Sequence, residues 1–298
     1  MLDRRRQEDT ALAALACEPF RIVRPAIQTA PFVFASPHSG RTYPRSFLAE
    51  SWLTPLALRR SEDAYVDELL EGSEGLGAPR IVALFPRVFV DVNRAASELD
   101  AAMFDAPLAV EVGLPTQRVS GGLGVIPKVV RDGAEIYRDR LPAHDAEERL
   151  RLFYRPYHDA LALLVKETVR RFGVAVVIDC HSMPSGPSTA DLVLGDRYGM
   201  SAGPDLMRHA ERAFEAGGFS TARNMPYAGG HTTFLYGRRA EGIHALQVEI
   251  NRGLYLDEDA VRHGPLFEAV RCRLHEALHR LLAIDHAQLG AQRPLAAE

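Results

Sequence analysis

The 298-residue chain predicts an α/β fold with a mixed, mainly parallel sheet flanked by helices. Three observations carry this. Residues 174–179 are an apolar run rich in β-branched residues that ends in Asp179, the kind a central strand covered on both faces requires. Shorter strand-like runs alternate with stretches of helical periodicity, which is the pattern of crossover connections. The composition, 47% hydrophobic and 25% charged, is that of an ordinary globular protein with enough apolar surface for a core.

In chain order, residues 31–35 predict a buried strand ending in the turn Ser36-Pro37-His38-Ser39-Gly40. Residues 54–70 predict a helix, with Leu56, Leu58, Val66, Leu69 and Leu70 at apolar positions. Residues 80–85 and 88–92 predict two more strands. The stretch 98–124 carries Gly and Pro with no long period and reads as a surface excursion. Residues 124–137 read as a hairpin with its turn at Asp132-Gly133. Residues 142–171 predict a long helix with Leu150, Phe153, Tyr157, Leu161, Leu164 and Val165 on one face. Strands are expected at 191–195 and 244–250, and helices at 205–216 and 257–285, the last broken at 263–265. With no repeat and no linker, 1–298 reads as one domain, with 1–20 and 288–298 as loose ends.

A net charge of −4 argues against a nucleic-acid partner. No apolar run approaches the length of a membrane span, and no signal-peptide core follows the charged start, so a membrane partner is not expected. Cys17, Cys180 and Cys272 are isolated and odd in number, which fits a reducing cytoplasm rather than a disulfide framework. A metal would then have to be held by His, Asp or Glu.

Ligands of open α/β sheets gather beyond the carboxyl ends of strands. Here polar residues follow apolar runs repeatedly: His38, Arg87, Asn93-Arg94, Asp179-Cys180-His181-Ser182 and Glu249-Ile250-Asn251-Arg252. One strand-end histidine is as easily a local hydrogen-bonding group, but His38 and His181 in matched settings point to a shared zinc. The third ligand should be a carboxylate, and Glu62, Asp63 and Asp67 all offer one; Asp63 and Asp67 share a helix face. An HxxE pair is absent, since Arg41 stands three residues after His38. Glu249, in a partly apolar setting, suits a general base, the plain alternative being a salt bridge to Arg252. Arg87, Asn93 and Arg94 supply fixed donors for substrate carboxylates; one of the two arginines, Arg87 being the choice, can instead polarise the scissile carbonyl, the plain alternative being structural pairing with Asp91 or Glu98. Arg41 is set with these substrate-binding residues. The segment Gly229-Gly230-His231-Thr232-Thr233 with Tyr236-Gly237 lacks the lysine of a phosphate loop and reads as a substrate-facing loop through His231 and Tyr236.

Taken together and in order, Ser36–Gly40, Asp63-Ala-Tyr-Val-Asp67, Arg87-Val-Phe-Val-Asp91-Val-Asn93-Arg94, Asp179-Cys-His181-Ser182, Pro226-Tyr-Ala-Gly-Gly230 and Gln247-Val-Glu249-Ile-Asn-Arg252 resemble the N-formylglutamate amidohydrolase family. The likeness runs from about His38 to Tyr255. It implies a fold similar to the zinc carboxypeptidases and phosphorylase-hydrolases, with one zinc per chain held by His38, Asp63 and His181. It implies Glu249 as general acid and base, and Arg87, Asn93 and Arg94 gripping an acidic N-acylamino acid. The implied reaction is hydrolysis of N-formyl-L-glutamate to formate and L-glutamate, a late step of histidine degradation. Two other readings stay open: a related hydrolase of another N-acylamino acid or small peptide, and a non-catalytic metal- or ligand-binding protein on the same fold.

Overall fold

The apolar run at 174–179 becomes the middle of the sheet. In the computed structural model, which describes residues 9–130, 133–186 and 190–290, the strands are β1 (Phe20–Val23), β2 (Phe32–Ser36), β3 (Arg80–Ala83), β4 (Ala175–Met183), β5 (Leu192–Gly195), β6 (Thr221–Arg223) and β7 (Ile243–Asn251). They form one seven-stranded sheet in the order β1-β3-β2-β4-β7-β5-β6. β3, β2, β4 and β7 run parallel, so their carboxyl ends share one edge of the sheet. β1 and β5 are antiparallel to their neighbours β3 and β7, and β6 follows β5.

The two-residue period of a strand decides which side chains meet which layer. Along β4, Val176, Ile178 and Cys180 enter a core completed by the helices Pro204–Ala216 and Phe267–Leu282. Ala175 and Val177 enter the opposite core, under the helix Arg155–Phe172. Asp179 and His181 continue that second row. On β7, Ala245 faces the second core and Gln247 and Glu249 continue its row. The parallel register sets Asp179 beside Gln247 and His181 beside Glu249. Apolar residues therefore fill the start of both strands, and four polar residues crowd one face at their carboxyl ends.

Several expected elements come out differently. The helix at 54–70 is interrupted: only Pro55–Arg59 and Val66–Leu69 are helical, with Tyr65 in the left-handed region at φ 62° between them. Residues 88–92 are turns rather than a strand. Val88, Val90 and Val92 are buried, but Phe89 N–H bonds Pro86 O and Asp91 N–H bonds Val125 O, so the apolar pattern reports burial without a ladder. The helix at 257–285 begins only at Phe267; before it lies a two-stranded ribbon of β8 (Leu256–Asp257) and β9 (Arg262–His263).

The loop expected around His231 is the short helix His231–Tyr236. The excursion at 98–124 buries Leu99, Met103 and Phe104 and includes the short helix Gln117–Ser120. Val129 and Glu135 pair across the expected hairpin; Asp132 of its turn lies outside the described residues. The long helix is continuous from His144 to Phe172, with a π turn at Leu150–Tyr154. Of the expected loose ends, 1–8 and 291–298 lie outside the described residues. Within the rest, Thr10–Cys17 is a helix capped by Asp9, and Leu289 is buried with its carbonyl 2.9 Å from His244 Nε2.

Candidate metal centre and substrate pocket

The turn after β2 carries His38 against the chain beyond β3. A side chain at Gly40 would put a carbon 2.1 Å from Phe85 O, so only glycine allows that approach. Asp63 is brought to the same place by the break in the 54–70 helix. Its backbone N–H bonds His38 O at 3.0 Å, and Ser39 Oγ donates to its carbonyl at 3.0 Å. A continuous helix would have used that N–H internally; the left-handed Tyr65 is the local cost of freeing it.

Asp63 Oδ2 then lies 3.2 Å from His38 Nδ1 and 2.9 Å from His181 Nδ1. Its other oxygen accepts from Arg252 Nη2 at 3.1 Å and Ser182 Oγ at 3.3 Å. The far nitrogen of each ring faces a carboxylate: His38 Nε2 lies 2.7 Å from Asp91 Oδ1, and His181 Nε2 lies 2.9 Å from Asp179 Oδ2. The Asp179 contact is a close charge contact that does not align as a hydrogen bond; both Asp179 oxygens are otherwise without a hydrogen-bond partner among the described residues. All five side chains are buried.

Burial would raise the Asp63 carboxyl, but the hydrogen bonds from His181 and His38 outweigh it and hold it well below the carboxylate range. Burial would lower His181, and the charges of Asp179 and Asp63 instead lift it well above the usual histidine value.

This donor set fits a divalent metal. Two imidazole nitrogens and one carboxylate oxygen lie within 4.8 Å of one another, the nitrogen–oxygen mixture typical of zinc sites with a free position. Carboxylates behind both rings fix the ring orientation such ligands need. Glu62 and Asp67 face elsewhere. Glu62 takes Tyr43 Oη and Arg59 Nε, and Asp67 takes Arg41.

The trio opens into a cavity of about 520 Å³ that is also lined by Arg87, Asn93, Arg94 and Glu249. Burial pushes the Glu249 carboxyl up to about 7, the nearby Asp63 charge adding to it against the pull of His181. Gln247 Nε2 donates to Glu249 at 2.8 Å, while Arg252, the salt-bridge partner of the plain alternative, is committed to Asp63, Ser182 and the Arg60 and Glu62 carbonyls. Arg87 bonds Asp91 through Nε at 3.1 Å.

Asn93 and Arg94 are less free than their sequence setting suggests. Asn93 Nδ2 lies 3.2 Å from His181 Nε2, and its Oδ1 accepts from Thr232 N–H at 2.8 Å. Arg94 donates to the Leu123 and Asn93 carbonyls. Behind them, His158 Nε2 lies 2.9 Å from Val92 O and Tyr154 Oη donates to Arg94 O at 2.8 Å, clamping the loop to the helix.

Three expected substrate-binding residues are not on this cavity. Arg41, in the loop after β2, pairs with Asp67 and Glu68 of the helix Val66–Leu69 and lies over the Tyr65 ring. Tyr236 is buried and donates to His158 O, because the helix His231–Tyr236 turns it inward. His231 lines an adjoining cavity of about 420 Å³ with Arg197 and Phe234. Conversely, Asp91, Asp179 and Arg118 belong to the site or its support. Asp179 was legible from strand parity alone, and Asp91 from its place between Arg87 and Arg94. Nothing in the sequence marks Arg118.

A model of the N-formylglutamate amidohydrolase family matches residues 30–256. N-formylglutamate deformylase of Pseudomonas aeruginosa is 31% identical over 233 residues, covering 74% of this chain and 81% of that protein. The Pseudomonas putida enzyme of the same name is 30% identical over 206 residues, covering 66% and 71%. The crystal structure of N-formylglutamate amidohydrolase from Ralstonia eutropha superposes with a TM-score of 0.81 at 34% identity, covering 88% of this chain and 96% of that one.

Proposed function

The chain belongs to the N-formylglutamate amidohydrolase family, and from that premise we propose that it hydrolyses N-formyl-L-glutamate to formate and L-glutamate with one zinc ion. The observation that carries the reading is the juxtaposition of Glu249 with the His38–Asp63–His181 trio in an arginine-rich cavity. His38 and His181 would hold the metal through Nδ1 and Asp63 through Oδ2. When bound, zinc supplies Lewis-acid polarisation of the formyl carbonyl and of water.

Glu249 acts as the base. As carboxylate it accepts a proton from the attacking water while the new C–O bond forms at the formyl carbon. It then returns the proton to the nitrogen as the C–N bond breaks, releasing formate and the glutamate amine. A carboxyl raised to about 7 suits both halves of that cycle. Arg87, anchored to Asp91 through Nε, offers its terminal nitrogens to the oxyanion. Arg94 stands beside it as a buried cation for a substrate carboxylate.

Purified protein incubated with N-formyl-L-glutamate should release formate and glutamate in equal amounts, and a chelator should stop the release until zinc is restored. Preferred turnover of a different N-acylamino acid would move the assignment to that substrate. No turnover of any N-acylamino acid by metal-loaded protein would overturn it.

A further inference from the structure

The cavity holds more positive charge than its own carboxylates answer. Five arginines line it (Arg60, Arg87, Arg94, Arg118 and Arg252) against the carboxylates Asp63, Asp91 and Glu249. Three of the five are anchored within the protein. Arg252 is fixed on Asp63, Arg94 on backbone carbonyls and Arg87 on Asp91. Arg60 and Arg118 have no side-chain partner among the described residues. Arg60 also faces a neighbouring cavity lined by Asp257, Glu258 and Asp259, where acids are at hand.

Arg118 shares the adjoining cavity with one acid, Glu98, whose two oxygens already accept from Ala95 N–H and Thr116 Oγ1 at 3.0 Å. Burial does most to disfavour the charged form of Arg94, and the charges of Arg87 and Arg118 add to it against Asp91 and Glu98, so three guanidinium groups share this end of the cavity. The place of Arg118 in the pocket is specific. Arg87 bonds the carboxylate that holds His38, Arg94 follows, and Arg118 stands beyond, where the reaction cavity meets the adjoining one. The shared wall there is bare backbone at Gly229 and Gly230. A side chain at Gly230 would approach Asn93 Nδ2 to 2.4 Å, so nothing can grow from it to shield Arg118. An unpaired, forked cation at the far end of a pocket is a receptor for a carboxylate carried several bonds from the reacting amide.

We propose that Arg118 is the specificity-determining residue for the side-chain carboxylate of the substrate, distinguishing glutamate from its neutral amide. This rests on the proposed function for the identity of the amino acid but not for its test, which needs no turnover. Equilibrium binding of L-glutamate and of L-glutamine to the zinc-loaded wild type and to Arg118→Gln gives the preference directly. The wild type should prefer glutamate, and Arg118→Gln should lower that preference about 10- to 100-fold, the loss of a charge-assisted pair. Arg118→Lys, which keeps the charge and loses the fork, should recover part of it. A wild type that binds the two alike, or an Arg118→Gln protein with the wild-type preference, overturns the proposal. Preserved preference for glutamate without hydrolysis of N-formylglutamate would leave it standing and remove the proposed reaction instead. Circular dichroism of each variant separates lost selectivity from lost folding.

Discussion

His38 Nε2 lies 2.7 Å from Asp91 Oδ1, with both side chains buried and Arg87 on the other carboxylate oxygen. The carboxylate thus fixes the tautomer and tilt of a ring whose other nitrogen faces the candidate metal position. Asp91→Asn keeps the shape and removes the charge. It should weaken zinc affinity about 10- to 100-fold in competition with a chromophoric chelator. Unchanged affinity would show that Asp91 serves only to hold the loop.

Glu249→Gln should lower kcat by about 10²- to 10⁴-fold while zinc content, measured by elemental analysis, stays at the wild-type level. A variant that keeps more than a tenth of the wild-type rate would remove Glu249 as the base.

The same carboxyl sets a pH dependence. A general base works ionised, and burial with the Asp63 charge raises Glu249 to about 7. Activity should therefore fall as pH drops through the region above the ordinary glutamate range of about 4.3. The kcat/KM profile checks this; an acidic limb at the ordinary glutamate value would contradict it.

His158 gives a stability prediction with its own sign. Burial, reinforced by His231, lowers its imidazole to about 4. Unfolded, it titrates near the ordinary value of about 6.5. Between these values the unfolded chain takes up a proton that the folded chain refuses, so folding weakens as pH falls through that window and is unaffected above it. The full effect is roughly 3 kcal/mol. Urea midpoints of wild type and His158→Gln at pH 7.5 and 4.5 isolate it, because the variant should lose less. Equal losses would place the effect on other groups.

Zinc at a hundredfold excess over its dissociation constant should raise stability by about 2.7 kcal/mol, or roughly 4 °C in Tm for a chain this size. His181→Ala should abolish the zinc-induced shift in scanning calorimetry. A full shift in that variant would mean that the ion binds elsewhere.

What the sequence discloses here follows from where the information is local. The β-branched run ending in Asp179-Cys180-His181 displays its strand, and parity alone puts Asp179 and His181 on one face. Asp63 is harder, because its position depends on a helix break enforced by the distant His38 carbonyl and Ser39 hydroxyl. Valines at 88, 90 and 92 mimic a strand because burial, not pairing, selects them. Arg41 and Tyr236 carry suitable chemistry, but Asp67 and Glu68 hold the first and the inward-facing helix turn buries the second. Arg118 lies in a stretch without periodicity, and only the closed fold brings it to the cavity.

The pairing of His181 with Glu249 across β4 and β7 has an evolutionary consequence. The proposed base and a candidate metal ligand sit on adjacent central strands, whereas Arg118 and Gly229–Gly230 lie on connecting segments. Exchanging the segments around 117–123 and 226–233 between relatives should retune which amino acid is accepted while the hydrolytic apparatus is inherited intact. Such chimeras would let one scaffold be bred toward new N-acylamino acids without rebuilding its reaction.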